Sequence, residues 1–270
     1  MAARLAVLRT RDKVLGVIAV HCRTGGGGKT TLAVNLGWAL AHLRNHRTLI
    51  WDLDPQATAT FVLLPDTEQV SRFGAALAFD VGISQFVRQT LVSNLDLLPG
   101  DVSLRSISAI DGADRRGRLK IVVDQVRRSY SRIILDCPPG LTVVSDEVLA
   151  IADLVIAPIY PSAVALRGLV GLENQLRAMR GDSSMLMPVF TMVDPSRPSH
   201  RRFLEQFPQF PAIPLTDAVE LMCSHKTAIG AIAPGSDAAN AYSAVWAAAE
   251  ARLGAAKVEP AITIMPTCAS

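Results

Sequence analysis

Gly25-Gly26-Gly27-Gly28-Lys29-Thr30-Thr31 is the stretch on which the reading of this chain turns. The run before it, Val14-Leu15-Gly16-Val17-Ile18-Ala19-Val20, is short, apolar and rich in β-branched residues, which is the pattern of a buried strand. After it, Leu32, Val34, Asn35, Leu36, Trp38, Ala39 and Leu40 recur with helical spacing to about His42. Strand, glycine loop and helix in that order form a phosphate-binding loop. Glycines let the backbone wrap an anion at close range. The loop amides and the helix N-terminus add partial positive charge, and Lys29 adds a full one. Thr30 offers a hydroxyl to magnesium, an ion that prefers oxygen ligands. The competing reading is a glycine-rich turn with an incidental lysine.

Outward from the loop the same unit repeats. Arg47 to Asp52 reads as a second buried strand, and Leu95-Asp96-Leu97-Leu98 as a short strand stopped by Pro99-Gly100. Arg132 to Asp136, Leu154 to Pro158, Pro188 to Val193 and Pro211 to Pro214 read as further strands. Helices are expected over Ile83 to Val92, Arg116 to Ser129, Ala163 to Met179 and Ser236 to Leu253. In the second of these, Arg116, Lys120, Arg127 and Arg128 read as a solvated face. Residues 55 to 80 read as irregular with short helical stretches, and no internal repeat is visible. The expectation is an α/β fold with a mainly parallel sheet and helices on both faces. One domain spans 1–254, followed by a loose tail at 255–270.

Composition narrows the function. At 270 residues and 50% hydrophobic content, one sizeable core is affordable to the chain. A net charge of +3 is too small for a polycation, so any nucleic-acid contact must be a local patch. The four cysteines (Cys22, Cys137, Cys223, Cys268) form no Cys-x-x-Cys pair, which argues against a metal cluster and for free thiols in a reducing compartment. No apolar run reaches membrane-spanning length, and the first ten residues lack a signal-peptide core. The cytoplasm is the expected location.

The chemistry is expected where strands end, beyond their carboxyl edge. Asp136 follows an apolar strand and fits an acid that holds magnesium through its water shell; alternatively it caps a turn. Asp52-Leu53-Asp54-Pro55-Gln56 puts two acids at the mouth of the second strand, and strand alternation would turn residues 52 and 54 to the same side.

These residues together resemble the ParA/MinD ATPases, P-loop proteins with a deviant Walker A motif. Thr24 to Thr31 occupies that motif, Asp52 to Gln56 matches the family's Asp-x-Asp-Pro-Gln, and Ile133 to Pro139 matches its apolar run ending in Asp-x-Pro-Pro. Leu97 to Asp101 looks like the family's middle strand, and Pro158 to Leu169 like its post-strand helix start. The likeness runs over roughly residues 14 to 253, and Asp-Pro-Gln favours the ParA branch. It implies ATP and Mg2+ as ligands. Gly25, Gly26, Gly27, Gly28 and Lys29 would cradle phosphates, Lys29 reaching the β and γ groups and Thr31 the α group. Thr30 would ligate magnesium, Asp52 and Asp136 would hold its waters, and Asp54 would polarise the attacking water. Adenine would lie near Ile213-Pro214.

Two departures stand out. The family's second lysine, which reaches across an ATP-bound homodimer, falls at position 24, where this chain has neutral Thr24 after Arg23. Either Arg23 or Arg167 takes over, or hydrolysis is slow while ATP-driven dimerisation survives. The arginines with which ParA-like members bind DNA are also missing after Ile213-Pro214. Arg197, His200, Arg201 and Arg202, with Lys226, form the substitute candidate, the alternative being a solvated helix start. Membrane targeting is disfavoured because residues 255–270 hold only Lys257 and no amphipathic pattern.

The resulting expectation is a dimerising ATPase that positions an intracellular cargo and answers to an adaptor protein. The runners-up are a biosynthetic ligase of the dethiobiotin or cobyrinate amidation type and a degenerate nucleotide-binding adaptor. A reductase related to nitrogenase iron protein ranks last, since Cys137 has no second cysteine nearby in sequence.

Overall fold

The computed structural model describes residues 16–65, 83–102, 104 and 117–255. The strands are β1 (Gly16–Val20), β2 (Thr48–Asp52), β3 (Arg88–Gln89), β4 (Leu95–Leu98), β5 (Arg132–Asp136), β6 (Leu154–Ile159), β7 (Leu186–Val193) and β8 (Ala212–Pro214). Every residue of β1, β2, β4, β5 and β6 is buried. Continuous apolar runs of this kind suit strands covered on both faces. They line up in the order β3-β4-β2-β5-β1-β6-β7-β8, parallel throughout except for β3 against β4.

The helices are α1 (Lys29–Arg44), α2 (Thr58–Leu63), α3 (Arg118–Val126), α4 (Val143–Ile151), α5 (Ala163–Arg180), α6 (Pro198–Gln206), α7 (Ala218–His225), α8 (Ile229–Ile232) and α9 (Asp237–Ala255). One face of the sheet carries α3, α4, α5 and α6. The other carries α1, α2, α7, α8 and α9. Strand alternation sorts β1 between them: Val17 and Ala19 join the first core, Ile18 and Val20 the second. Each fully buried aliphatic such as Leu36 or Ile50 contributes roughly 1.5–3 kcal/mol.

The chain runs from β1 outward to β2 and β4, returns through β5, and crosses to β6 on the far side of β1. Ligands of such sheets sit at this reversal, beyond the strands' carboxyl ends. The register sets Val20 opposite Asp136 and Asp136 opposite Asp52, so three strands stop at one level. At the opposite edge, buried Arg132 in β5 clasps Glu250 of α9 with two bonds, Nε–Oε1 2.8 Å and Nη2–Oε2 2.7 Å.

Three local readings change. Ile83 to Val92 is not a helix: a 3₁₀ turn spans Ile83–Phe86, and Arg88–Gln89 then pairs antiparallel with β4. The open edge of β4 offers backbone partners to a stretch rich in β-branched Val87, Thr90 and Val92, and tertiary pairing outweighs helical periodicity. β2 stops at Asp52, so strand alternation does not orient Asp54. Helix α4 was not anticipated; its signature is a capping box in which the Thr142 side chain accepts from the Ser145 amide and Ser145 answers the Thr142 amide. Val14 and Leu15 of the first strand, most of the irregular stretch, Arg116 and the tail beyond Ala255 lie outside the described residues.

Candidate functional site

The glycine loop leaves β1 and enters α1 without a cap from any side chain. Gly26 (φ 73°) and Gly28 (φ 77°) take left-handed backbone, which aims successive amides inward. Gly27 is small for another reason: a Cβ there would stand 2.9 Å from the Pro158 carbonyl oxygen and 3.1 Å from Cys22 Sγ. Its own carbonyl accepts from buried Thr191 Oγ1 at 3.0 Å. Met192, the next residue, has φ 53°, within an irregularity of the β7–β8 pairing between Phe190 and Val193. A non-glycine residue held there costs on the order of 1–3 kcal/mol, the kind of strain that collects at functional sites.

Lys29 is buried, its Nζ donating weakly to Cys22 Sγ at 3.9 Å, while that thiol donates to the Thr24 carbonyl at 3.1 Å. One turn on, Asn35 donates to the Thr31 carbonyl and accepts from the Ile229 amide, fixing α1 to α8. The described residues around the loop therefore present amides, one ammonium and the Thr30 hydroxyl.

Against them stand the acids. Asp136 is fully buried, and neither of its carboxylate oxygens has a well-formed hydrogen bond. Burial pushes its pKa well up, as does neighbouring Asp52; the Thr30 hydroxyl and Lys29 beside it only partly offset this. A wholly buried carboxyl without partners is costly unless a cation or water meets it. A hydroxyl and a carboxylate are hard oxygen donors, and they fit magnesium. Asp52 is also buried, and its pKa is raised to about 6 by burial. Unlike Asp136 it is well supplied with donors: Asp54 N–H to Oδ1 (3.2 Å), and Thr60 N–H (2.9 Å) and Oγ1–H (2.8 Å) to Oδ2. Asp54 is half-buried, with Oδ1 accepting from the Gln56 amide at 2.9 Å. Lys29, Thr30, Asp52, Asp54 and Asp136 thus form one electrostatic group.

Arg23 and Thr24 turn away from this group toward α5. A Cβ on Gly168 would meet Thr24 Cγ2 at 3.6 Å, and a Cβ on Gly171 would overlap the Arg23 guanidinium. The two glycines open a slot along the helix in which Arg23 lies, with no hydrogen bond or ion pair among the described residues. Arg167 is exposed on the same helix. Between the strand and the loop, His21 is buried with neither ring nitrogen bonded, and burial, with Lys29 and Arg23 nearby, lowers its pKa to about 4.

The basic candidates divide. Arg197, Arg201 and Arg202 share the start of α6, which Phe203 and Phe207 seat on the sheet through Phe190. Arg197 bonds Asp194 and the Tyr160 hydroxyl, Arg201 bonds the Pro195 and Ser196 carbonyls, and Arg202 is exposed. His200 is structural: its Nδ1 accepts from the Asp194 amide and its Nε2 meets the Tyr160 hydroxyl, each at 3.0 Å. Lys226 is not with them. It lies in the other helix layer, donating to the Phe61 carbonyl and resting over the Phe61 ring. Pro214 ends β8 on the same carboxyl edge as the loop, half-buried.

Thr60, Thr191 and Gly171 belong to the site's frame and were not singled out from the sequence. Thr60 alone left a trace there, six residues beyond the Asp54 acid in the first turns of a helix.

Comparison with known proteins agrees with this geometry. A family model described as an AAA domain matches residues 15–186. The sporulation initiation inhibitor Soj of Bacillus subtilis is 35% identical over 167 residues, 61% of this chain and 66% of that protein. The chromosome-partitioning ATPase Soj of Treponema pallidum is 32% identical over 184 residues, covering 63% and 68%. The match thus spans just under two thirds of the length of the Bacillus protein. Among solved structures, cobyrinic acid a,c-diamide synthase of Mycobacterium smegmatis, with bound ADP and magnesium, superposes with a TM-score of 0.74 at 26% identity, covering 93% of this chain and all of that one.

Proposed function

This chain belongs to the ParA/MinD family of P-loop ATPases, and from that premise we propose that it binds ATP with Mg2+, pairs with a second copy in the ATP state, and partitions or positions an intracellular cargo. The observation that carries this reading is the unpartnered Asp136 carboxyl beside Thr30 and Lys29, at the mouth of an uncapped helix. That set suits the phosphates of a nucleotide with a bound magnesium ion.

The roles follow from the groups. The amides of Gly26 to Lys29 cradle phosphate oxygens, and Lys29 exchanges its weak thiol contact for the β and γ groups. Thr31 meets the α-phosphate. Thr30 and Asp136 would hold magnesium, both being hard oxygen donors. Magnesium, when bound, supplies charge that neutralises the phosphates and orients them. Asp54, with one oxygen in its turn and the other open among the described residues, orients the attacking water. Pro214, at the end of β8, would face the base. With Thr24 neutral, hydrolysis is slow, and Arg23 is the cation that can restore charge at the contact between copies.

The Treponema relative, named a chromosome-partitioning ATPase, favours partitioning. The Mycobacterium neighbour keeps an amidating ligase as the second reading. Turnover raised by a partner protein supports the first; turnover raised by a small carboxylate with an amide donor supports the second. The α6 arginines give weak, ATP-dependent, sequence-independent DNA binding, and Lys226 takes no part. Size-exclusion chromatography without nucleotide, with ADP and with ATP, on wild type and Asp54→Ala, tests the central claim. An ATP-specific rise in mass is expected, and an unchanged elution volume in all three conditions overturns it.

A further inference from the structure

The hydrogen bonds of Asp52 give it a duty other than holding the waters of a metal. Thr60, on the inward face of α2, is almost wholly buried, and its hydroxyl has two neighbours that settle where its proton goes. The Gly100 amide, at the end of β4, can only donate, and it points at Thr60 Oγ1 at 2.8 Å. The hydroxyl proton must therefore go to Asp52 Oδ2, 2.8 Å away. The Thr60 amide reaches the same oxygen at 2.9 Å, and the Asp54 amide takes the other at 3.2 Å. Gly100 has no room for a side chain: a Cβ there would stand 2.9 Å from both the Asp52 carboxyl carbon and its backbone oxygen.

Three segments thus converge around one buried carboxylate: the end of β2 with its Asp54 turn, helix α2 close behind it, and the stretch after β4, which is remote in sequence. Resting on the ATPase reading, we propose that Thr60 is a positioning residue for hydrolysis. It fixes Asp52 as a brace for the Asp54 turn and ties that turn to Gly100, so that Asp54 is the acid presented to water. Asp136, which lacks such donors, is then the buried acid beside Thr30 that is left for the metal among the described residues.

The far side of α2 extends the brace. The Phe61 carbonyl, next to Thr60, accepts from Nζ of Lys226, the residue that caps the end of α7, at 2.8 Å. The Asp54 turn is therefore held from within by Thr60 and from outside by Lys226.

The test uses the full chain as Thr60→Val, which keeps shape and loses the hydroxyl, and Thr60→Ser, which keeps it. Affinity for a fluorescent ATP analogue, kcat and KM for ATP, and amide hydrogen exchange at Gly100 and Asp54 are measured on each. Thr60→Val is expected to keep nucleotide affinity within about twofold while kcat falls on the order of 10- to 100-fold, the cost of a displaced catalytic group. The Gly100 amide loses protection, and Thr60→Ser restores both. Wild-type turnover in Thr60→Val, or a serine variant as poor as the valine one, overturns the proposal. Equal losses of affinity and kcat in Thr60→Val also overturn it, since they mark a merely structural role. Should wild type bind no nucleotide, the ATPase reading falls instead, and exchange at Gly100 and Asp54 decides the brace by itself.

Discussion

The Arg23 guanidinium lies over Gly171, where any side chain would overlap it. The loop residue next to the missing lysine is thereby tied to the middle of α5 and not to the phosphate cradle. Gly171→Ala evicts the far end of a flexible side chain, so the fold tolerates it and the helix gains about 0.5–1 kcal/mol in propensity. The expected outcome is an equal or higher thermal midpoint. With Arg23 held in the slot for the contact between copies, ATP-dependent dimerisation should drop in Gly171→Ala and in Arg23→Ala alike, and remain normal in Arg167→Ala. Calorimetry with size-exclusion chromatography checks both.

Lys29→Met removes the one buried ammonium at the loop. A lost charge-assisted bond to phosphate should weaken ATP-analogue affinity by about 10- to 100-fold. The variant should not melt lower than wild type, because the lysine's present partner is a weak thiol acceptor. Fluorescence titration and a thermal melt without nucleotide report the two effects separately.

Acid should act on the apoprotein in two opposing ways. His21 has its pKa lowered from 6.5 to about 4, so it contributes stability above pH 6.5 that is lost as pH falls toward 4. Asp52 has its pKa raised from 3.8 to about 6, so it contributes stability below 3.8 that is lost as pH rises through 6. His21→Leu removes the first effect and leaves the second. Between pH 7 and 5 the midpoint of the variant should rise relative to wild type, as read from melts at pH 7, 6 and 5.

Glu250→Ala takes the carboxylate from a guanidinium that is only 6% exposed, while its bond to the Ser131 carbonyl stays. Leaving one partner of such a pair costs about 3–5 kcal/mol. Urea unfolding should show that loss, whereas ATP-analogue affinity should stay at the wild-type value, because Arg132 opens β5 at the edge away from the loop.

Much of this was legible because parallel strands buried on two faces must be apolar throughout. Val17 to Val20, Leu49 to Trp51 and Ile133 to Leu135 announce themselves, and each is followed by residues that carry chemistry. Helix α4 was harder to see, since its start depends on Ser145 doing what glutamate or glutamine usually does in a capping box. The stretch from Ile83 misled because an edge strand is created by its neighbour more than by its own pattern. In the site, Lys29, Thr30 and Asp136 were readable from local context. The slot that takes Arg23 and the bond from Gly100 to Thr60 were not, because each joins residues far apart in sequence through packing that only the fold creates.

The glycine loop is anchored unevenly. Its second half is riveted to β7 by Thr191 and pressed on Pro158, whereas Gly25 and Gly26 are exposed, with nothing within 4 Å of where a side chain would be. Gly25 and Gly26 are therefore the part of the loop that a molecule arriving from outside can touch without displacing a side chain.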